Sequence, residues 1–544
     1  MKVLILYPNL PLMFSPAISV GLFTAICKEE GVDVDIFETT YHSEQFKTVK
    51  NRHLKMASVG ANMGGDVEDF FEIRDPDTLI DDFQLKINNY NPDLILMSVS
   101  EDTYKQGIEL LESIREKNIP NIVGGVFARD GKDFLLEYDV IDQICHHEGE
   151  QVVRDAIKAL KENRPLYDIK GTTYRFKDHA HANVEQELCN ISEVTPDFSL
   201  FDDARWARPM GGRVFERAMP METYRGCPYN CTYCNSPSQR DFSKENNQGN
   251  FMRRKNVDVI EKEIVMTLEK YNPELILFID DSFLARPKQE IEDFSNMWAK
   301  YKVPFWINTR IENCTPDVLD MMKHAGCYRM SFGLESGNEE YRRDILSRNV
   351  SNEKYLEHIE YINESDIPYS LNVIIGMPYE TPSLVEETAR FVRKCRGWDA
   401  ITIATFIPYV GTGLRTMAIN AGFIDPQSTS NGGFLTYWDL KHPEQYIQKQ
   451  EVEDYVRIFP LLSFFPDSRW DEIKQSLTDD DLYNKLQKEY KNLHWSKFQE
   501  GGKSRIKRLD KKIKNEYKEP FGIKAWSKGC VKHDESSSLM FSVA

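Results

Sequence analysis

No run of about eighteen consecutive apolar residues occurs in the 544-residue sequence, so no membrane-spanning helix is expected. The start, MKVLILYPNLP, has one lysine and six apolar residues before its first proline. That is too short for a signal h-region and reads as a buried strand, which makes a cytoplasmic location the expectation. Positive charge is in short supply: 68 Lys and Arg face 86 Asp and Glu, for a formal net charge of -18. This argues against non-specific binding to nucleic acid or to an anionic membrane surface. Cysteine is sparse, with ten residues spread over the chain, so a disulfide framework is excluded and a reducing compartment would leave thiols free for metal. No strong internal repeat is visible. What is present is ordinary globular composition, 41% hydrophobic, in a length that suggests three or four domains, each able to bury a core.

The first 165 residues alternate short β-branched runs with amphipathic stretches, the pattern of a doubly wound parallel sheet. Five strands are predicted, at Lys2 to Tyr7, Val32 to Glu38, Asp93 to Ser100, Asn121 to Val123 and Val140 to Cys145. In the helix predicted at Tyr104 to Lys117, Ile108, Leu111 and Ile114 share one face. The polar stretch from Tyr41 to about Asp77 is an excursion, long for a compact domain. Residues 166–218 read as a linker that includes a hairpin at GTTYRFKDHAHANVEQE. Periodicity returns over 219–415, with strands predicted at Met221 to Tyr224, Leu275 to Asp280, Phe305 to Thr309, Arg329 to Leu334, Tyr369 to Ile375 and Ile401 to Ile407. Two intervening helices open on Thr-Pro, at Thr315 and Thr381, and close on glycine. Six strand-helix units imply a partial or full barrel of parallel strands, with chemistry at the strands' carboxyl ends. Residues 416–544 are predicted to be mainly helical, ending in a basic tail: Lys503 to Lys532 holds eleven Lys or Arg against three Asp or Glu.

One loop concentrates cysteine. YRGCPYNCTYCNSPSQ places Cys227, Cys231 and Cys234 after the first predicted barrel strand. A structural zinc site closes its shell with four ligands, usually as two separated pairs. Here the neighbouring cysteines are Cys189 and Cys314, and no histidine lies between His181 and His324. Three thiolates can instead hold three irons of a 4Fe-4S cubane and leave the fourth iron open to a non-protein ligand.

This C-x3-C-x2-C spacing, with an aromatic residue before the last cysteine, resembles the signature of the radical S-adenosylmethionine enzymes at Cys227, Cys231, Tyr233 and Cys234. The resemblance implies a 4Fe-4S cluster whose open iron chelates the amino and carboxylate groups of S-adenosylmethionine. An electron from the cluster, replenished by an external donor such as flavodoxin or ferredoxin, would then break a C–S bond to give a 5'-deoxyadenosyl radical. Further segments follow in family order. FIDDSF offers Asp280 and Asp281 to the methionine amino group, with a helix cap at Asp281 or Ser282 as the alternative. GCYRMSFGLESG places Glu335 and Ser336 for ribose and methionine. NVIIGMPYET places Ile374 and Gly376 beside adenine, with a simple turn as the alternative for the glycine. FIPYVGTGL resembles the segment that ends the sixth strand.

The first domain resembles the cobalamin-binding domain found in one branch of that family, a Rossmann-like sheet ahead of the barrel. The matching segments are SVSEDTY, GGVFA and EGE, which implies cobalamin contacts at Ser98, Ser100, Gly124, Gly125, Glu148 and Gly149. The D-x-H-x-x-G motif that supplies a histidine to cobalt elsewhere is missing, as it is in many members of the branch, and a domain kept for packing or for substrate is the alternative. The leading function is a radical methyltransferase acting on an unactivated carbon of a small molecule: one S-adenosylmethionine recharges cob(I)alamin, a second yields the radical, and the substrate radical takes methyl from methylcobalamin. The alternatives are a cyclase, rearrangement or oxidation enzyme of the same build and a non-catalytic zinc-stabilised binding protein. A methylthiotransferase would need a second cysteine triad, which Cys27 and Cys145 do not supply. Tyr437, Trp438, Phe464 and Phe465 are candidates to line a substrate pocket, and Cys327 to reach it.

Overall fold

The computed structural model describes residues 1–10, 15–42, 74–176, 179–210, 213–430, 440–494 and 501–517. Most of the Tyr41 to Asp77 excursion, Tyr437, Trp438, Cys530 and the tail beyond Tyr517 lie outside the described residues.

Strand β1 (Lys2–Tyr7) reads KVLILY, and its four central side chains are fully buried. A strand that is apolar on both faces needs cover above and below, which helices on either side of a parallel sheet provide. Val3 and Ile5 enter a core with the helices Ile18–Glu29 and Glu150–Lys161, while Leu4 and Leu6 enter a second core with Leu79–Tyr90 and Tyr104–Glu112. β2 (Asp33–Glu38), β3 (Leu94–Ser98), β4 (Asn121–Gly124) and β5 (Gln143–Cys145) complete the expected five parallel strands, in the order β2-β1-β3-β4-β5. The order reverses between β1 and β3, and a crevice opens there at the carboxyl ends.

The hairpin expected within 166–218 forms as β6 (Thr172–Phe176) and β7 (His179–Ala182). Its first strand pairs antiparallel on β5, so the sheet has seven strands and this part of the segment is sheet instead of linker. The hairpin covers an edge that the three-residue β5 would otherwise expose. A small ribbon of β8 (Arg208–Met210) and β9 (Arg213–Phe215) leads to the second sheet.

That sheet begins at β10 (Ala218–Met221), three residues before the predicted start. It also ends three residues early, because the Asp280 carboxylate takes the backbone N–H groups of Thr223 and Tyr224 and closes the ladder. Tyr224 belongs instead to a two-residue strand, β11 (Tyr224–Arg225), paired antiparallel with β12 (Arg253–Arg254). β13 (Leu275–Phe278), β14 (Phe305–Thr309), β15 (Cys327–Glu335), β16 (Tyr369–Ile375) and β17 (Ala400–Thr405) then follow β10 side by side, all parallel, as the six strands of a partial barrel. Both Thr-Pro helices form, at Pro316–Ala325 and Pro382–Lys394. Thr381 caps its helix through Leu384 N, whereas the Thr315 hydroxyl donates to Asp317, and the second helix ends at Cys395 before its glycine.

Cys327 is the first residue of β15, at the amino end of the barrel strands and opposite the site, which corrects its expected reach. Phe464 and Phe465 are also corrected: they are buried at 4% and 0% exposure among Tyr490 and the helix Lys449–Phe464, as core and not as a pocket wall. The basic tail begins docked, since Arg505 on helix Gly502–Tyr517 is fully buried and donates to Trp398 O at 3.0 Å and to His494 Nδ1 at 2.8 Å.

One glycine in the first domain has no substitute. Gly125 takes φ 104°, and a Cβ there would lie 2.3 Å from Val99 O and 2.6 Å from Val99 N, both backbone atoms. Gly125→Ala is expected to destabilise the first domain by about 2 kcal/mol, read as a drop of roughly 5 °C in its thermal transition.

Candidate active site

The cysteine loop is anchored by buried charge. Asp280, just beyond β13, accepts from Thr223 N at 2.7 Å, Tyr224 N at 3.1 Å, Thr223 Oγ1 at 2.5 Å and Arg286 Nη2 at 2.7 Å. Both oxygens are committed to holding the chain, so Asp280 is not free for the ligand contact expected of it. Gly226 turns the chain at φ 98°, where a Cβ would meet Phe251 O at 2.6 Å. Arg240 Nη1 donates to Cys227 O and Tyr229 O at 3.3 Å each, the Thr232 hydroxyl donates to Ile345 O at 2.7 Å, and Leu414 N donates to Thr232 O at 2.7 Å.

Cys231 is buried, and Cys227 and Cys234 are half-buried. Burial pushes the Cys227 thiol up to about 11 and the Cys234 thiol up to about 12, so these thiols release protons as metal enters. Ser236 N donates to Cys234 Sγ at 3.4 Å, a backbone bond suited to a thiolate. Around one tetrahedral zinc, sulfurs with Zn–S bonds near 2.3 Å would lie about 3.8 Å apart. Among the described residues, the trio of candidate ligand atoms that closes to within 4.8 Å is Glu148, Glu150 and Cys189, and not the three thiols of this loop. The three thiols are therefore not gathered tightly enough for one tetrahedral ion.

Asp281 faces the cavity above the barrel. Its surface is open to the cavity but the walls are close, and this enclosure, with Asp280 and Glu222 nearby, pushes its carboxyl up to about 6. Tyr233 donates its hydroxyl to Glu335 Oε1 at 2.9 Å and accepts from Arg348 Nη1 at 2.7 Å. Glu335 sits at φ 64°, where β15 slips in register against β16, and the bonds from Tyr233 and Arg348 hold that strained turn. Arg348 escaped the sequence reading because it lies outside the strand segment, thirteen residues beyond Glu335.

Ser336 is fully buried with its Oγ 3.4 Å from Thr388 Oγ1, inside the packing of helix Pro382–Lys394 and not in the cavity wall. Ile374 is half-buried near the end of β16. Gly376 turns at φ 90° and donates its N–H to Glu380 Oε2 at 2.6 Å, so the turn requirement is met there. Glu380 also accepts from Met377 N at 3.3 Å, and burial pushes its carboxyl up to about 8.

A cavity of about 640 Å³ runs between the carboxyl ends of the first sheet and the mouth of the barrel. Ser98, Ser100, Gly124, Gly125, Glu148 and Gly149 line one side; Gly226, Asn235 and Asp281 line the other. An arm of the cavity passes Leu22, Phe23, Val152 and Val153, between the helices Ile18–Glu29 and Glu150–Lys161. The expected cobalamin residues thus converge, but Glu148 is already engaged. Its Oε1 accepts from Arg225 Nη1 at 3.0 Å and Arg253 Nη2 at 2.5 Å, and its Oε2 from Arg253 Nη1 at 2.7 Å and Cys189 N at 2.9 Å. Burial opposes ionisation, yet the two guanidinium groups hold this carboxyl well below the usual carboxylate range. Arg225 Nη1 also reaches Glu150 Oε1 at 2.8 Å and Cys189 Sγ at 3.5 Å. One guanidinium nitrogen therefore contacts all three members of that trio. Arg225 pairs locally with Glu222, but the contacts by which Arg225, Arg253 and Cys189 reach Glu148 and one another span between 36 and 105 residues and left no local signal in sequence.

Against this geometry, the family described as "Radical SAM superfamily" matches residues 221–392. An uncharacterized methyltransferase of Pyrococcus horikoshii is 25% identical over 352 residues, covering 63% of this chain and 73% of that protein. The anaerobic magnesium-protoporphyrin IX monomethyl ester cyclase of Rubrivivax gelatinosus is 24% identical over 325 residues, covering 58% of this chain and 56% of that protein. The solved structure of the cobalamin-dependent S-adenosylmethionine radical enzyme OxsB with aqua-cobalamin bound superposes with a TM-score of 0.59 at 17% identity, over 94% of this chain and 75% of that one. This last likeness is one of fold.

Buried Glu380 makes stability depend on pH. A carboxyl raised from 4.5 to about 8 on folding contributes stability that is complete below the lower value and is lost as pH rises to the upper one. Glu380→Gln removes that titration. The variant is expected to gain on the wild type by on the order of 3 to 4 kcal/mol between about pH 5 and about pH 8, measured by urea unfolding. A difference that is the same at both ends would contradict a protonated Glu380 in the fold.

Proposed function

Residues 221–392 of this chain form a domain of the radical SAM superfamily, and from that premise we propose a cobalamin-dependent radical enzyme that methylates an unactivated carbon of a small molecule. The observation that carries the reading is one continuous cavity, walled on one side by the strand ends of the first sheet and on the other by the start of the cysteine loop. A methyl donor and a hydrogen-abstracting centre can serve one carbon only if both face it.

Cys227, Cys231 and Cys234 would hold the 4Fe-4S cluster. Asp281 would meet the ammonium of S-adenosylmethionine, a partner that draws its raised carboxyl back to the ionised form. Tyr233 and Glu335, locked together with Arg348, would stand rigidly beside the ribose and methionine, and Ile374 beside adenine. Ser98, Ser100, Gly124, Gly125 and Gly149 would receive cobalamin, with the apolar arm beside Leu22 and Val152 suited to the base of its nucleotide tail. Glu148 serves that site by positioning its loop through Arg225 and Arg253. When bound, these groups supply hydrogen abstraction by a 5'-deoxyadenosyl radical and donation of a methyl group.

The chain's own part is to hold both walls in place and keep water out. Besides the ionic bridge, Glu101 accepts from Val410 N at 2.7 Å and Ser430 N at 2.9 Å, and the Tyr409 hydroxyl donates to Asp102 at 2.8 Å. The first sheet is thus fastened to the barrel on two sides of the cavity. A flavodoxin or ferredoxin as electron donor and a cytoplasmic location go with this reading; among the described residues no helix is long and apolar enough to cross a membrane. A second reading, ring closure without net methyl transfer, is favoured by the cyclase relative.

Anaerobic reconstitution with iron, sulfide and hydroxocobalamin, followed by turnover, separates the readings. Methylated product with S-adenosylhomocysteine and 5'-deoxyadenosine is expected; 5'-deoxyadenosine with an unmethylated product selects the second, and zinc in place of iron defeats both. Cys231→Ala is expected to abolish iron uptake and 5'-deoxyadenosine formation while the first domain still melts as in the wild type.

A further inference from the structure

Arg310 follows β14 directly, and its side chain is only 10% exposed. Three contacts fix it. Nη2 pairs with Glu312 Oε1 at 2.5 Å, the guanidinium carbon stands 4.0 Å from the ring centroid of Tyr229 in the cysteine loop, and Nη1 points to Cys231 Sγ at 3.7 Å. Tyr229 is itself held by Asn313, three residues beyond Arg310, with its hydroxyl 3.0 Å from Asn313 Oδ1. Among the described residues, Arg310 Nε and Glu312 Oε2 are buried with no hydrogen-bond partner, so the pair sits in a dry position where charge acts strongly.

We infer that Arg310 sets the reduction potential of the cluster held by the cysteine triad, through a charged N–H···S bond to Cys231, with Glu312 as the counter-charge that limits its effect. This rests on the radical enzyme reading above. Taking up one electron makes the cluster and its thiolates more negative, and a donor on the ligand sulfur stabilises that state more than the oxidised one. An unopposed guanidinium would hold the electron too firmly for delivery to a sulfonium. Glu312, bonded to the far side of the same guanidinium, offsets part of the charge and leaves the directed bond in place. Arg310 is here a positioning residue, acting on the cluster through Cys231.

The test is a redox titration of the reconstituted holoprotein without S-adenosylmethionine, followed by electron paramagnetic resonance, in which a dithionite-reduced mediator supplies one electron per cluster. Arg310→Gln is expected to shift the reduction equilibrium about tenfold toward the oxidised cluster, which is about 59 mV lower for a one-electron couple. Glu312→Gln, which keeps an acceptor for Arg310 but removes its charge, is expected to shift the potential the other way. A potential unchanged in both variants, or moved in the same direction by both, would overturn the inference, because a purely packing role alters occupancy without opposite shifts. If Arg310→Gln takes up no iron, Glu312→Gln decides alone: an unchanged or lowered potential sinks the proposal. A wild type that binds no cluster defeats the functional reading and this inference with it, whereas a normal cluster with unmoved potentials defeats the inference only.

Discussion

The guanidinium of Arg225 joins the two halves of this protein. It lies two residues before Cys227, and it reaches across to Glu148 and Glu150 at the carboxyl end of the first sheet. Arg253, on the strand paired with it, grips Glu148 from a second direction. Charges this enclosed are costly to strip of water, and they are retained only where geometry returns the loss through several good bonds. Removing one partner would strand the others, so the bridge fixes the separation between the sheet and the cysteine loop within the length of a few side chains. The proposed chemistry needs that separation to be constant.

The rest of the site is arranged around this constraint. Asp280 is spent on ending β10 so that the chain can leave the ladder and form the loop, and Glu380 is spent on the turn that ends β16. Glu335 is held in a left-handed conformation by Tyr233 and Arg348, a local strain of the kind that persists where surrounding bonds over-determine it. Asp281, between these fixed groups, keeps its carboxyl turned to the cavity. Polar side chains that look alike in sequence have thus been sorted by burial into those that build the frame and those that face the space inside it.

The same sorting explains what sequence reading could and could not reach. β1 was legible to the residue because it is an apolar run, β14 and β16 because β-branched and aromatic residues dominate them, and the triad because ligand spacing within one loop is a local property. The end of β10 was misplaced because a carboxylate 57 residues away decides where the ladder stops. Asp280, Ser336 and Glu148 matched ligand-binding segments by position, yet each side chain is engaged with the protein itself. Arg225, Arg253 and Arg348 were invisible for the complementary reason: an arginine gives no sign in sequence of which distant carboxylate it will meet. Phe464 and Phe465 show the limit of composition, since aromatic residues fill cores as readily as they line pockets.

The central claim is that cluster and cobalamin share one cavity, held at a fixed spacing by the bridge. Electron paramagnetic resonance of the reconstituted protein, with the cluster reduced and cobalt as cob(II)alamin, tests it through the magnetic interaction between the two spins. The account predicts signals broadened or split by their mutual coupling. Spectra that are the plain sum of an isolated cluster and an isolated cob(II)alamin would contradict it.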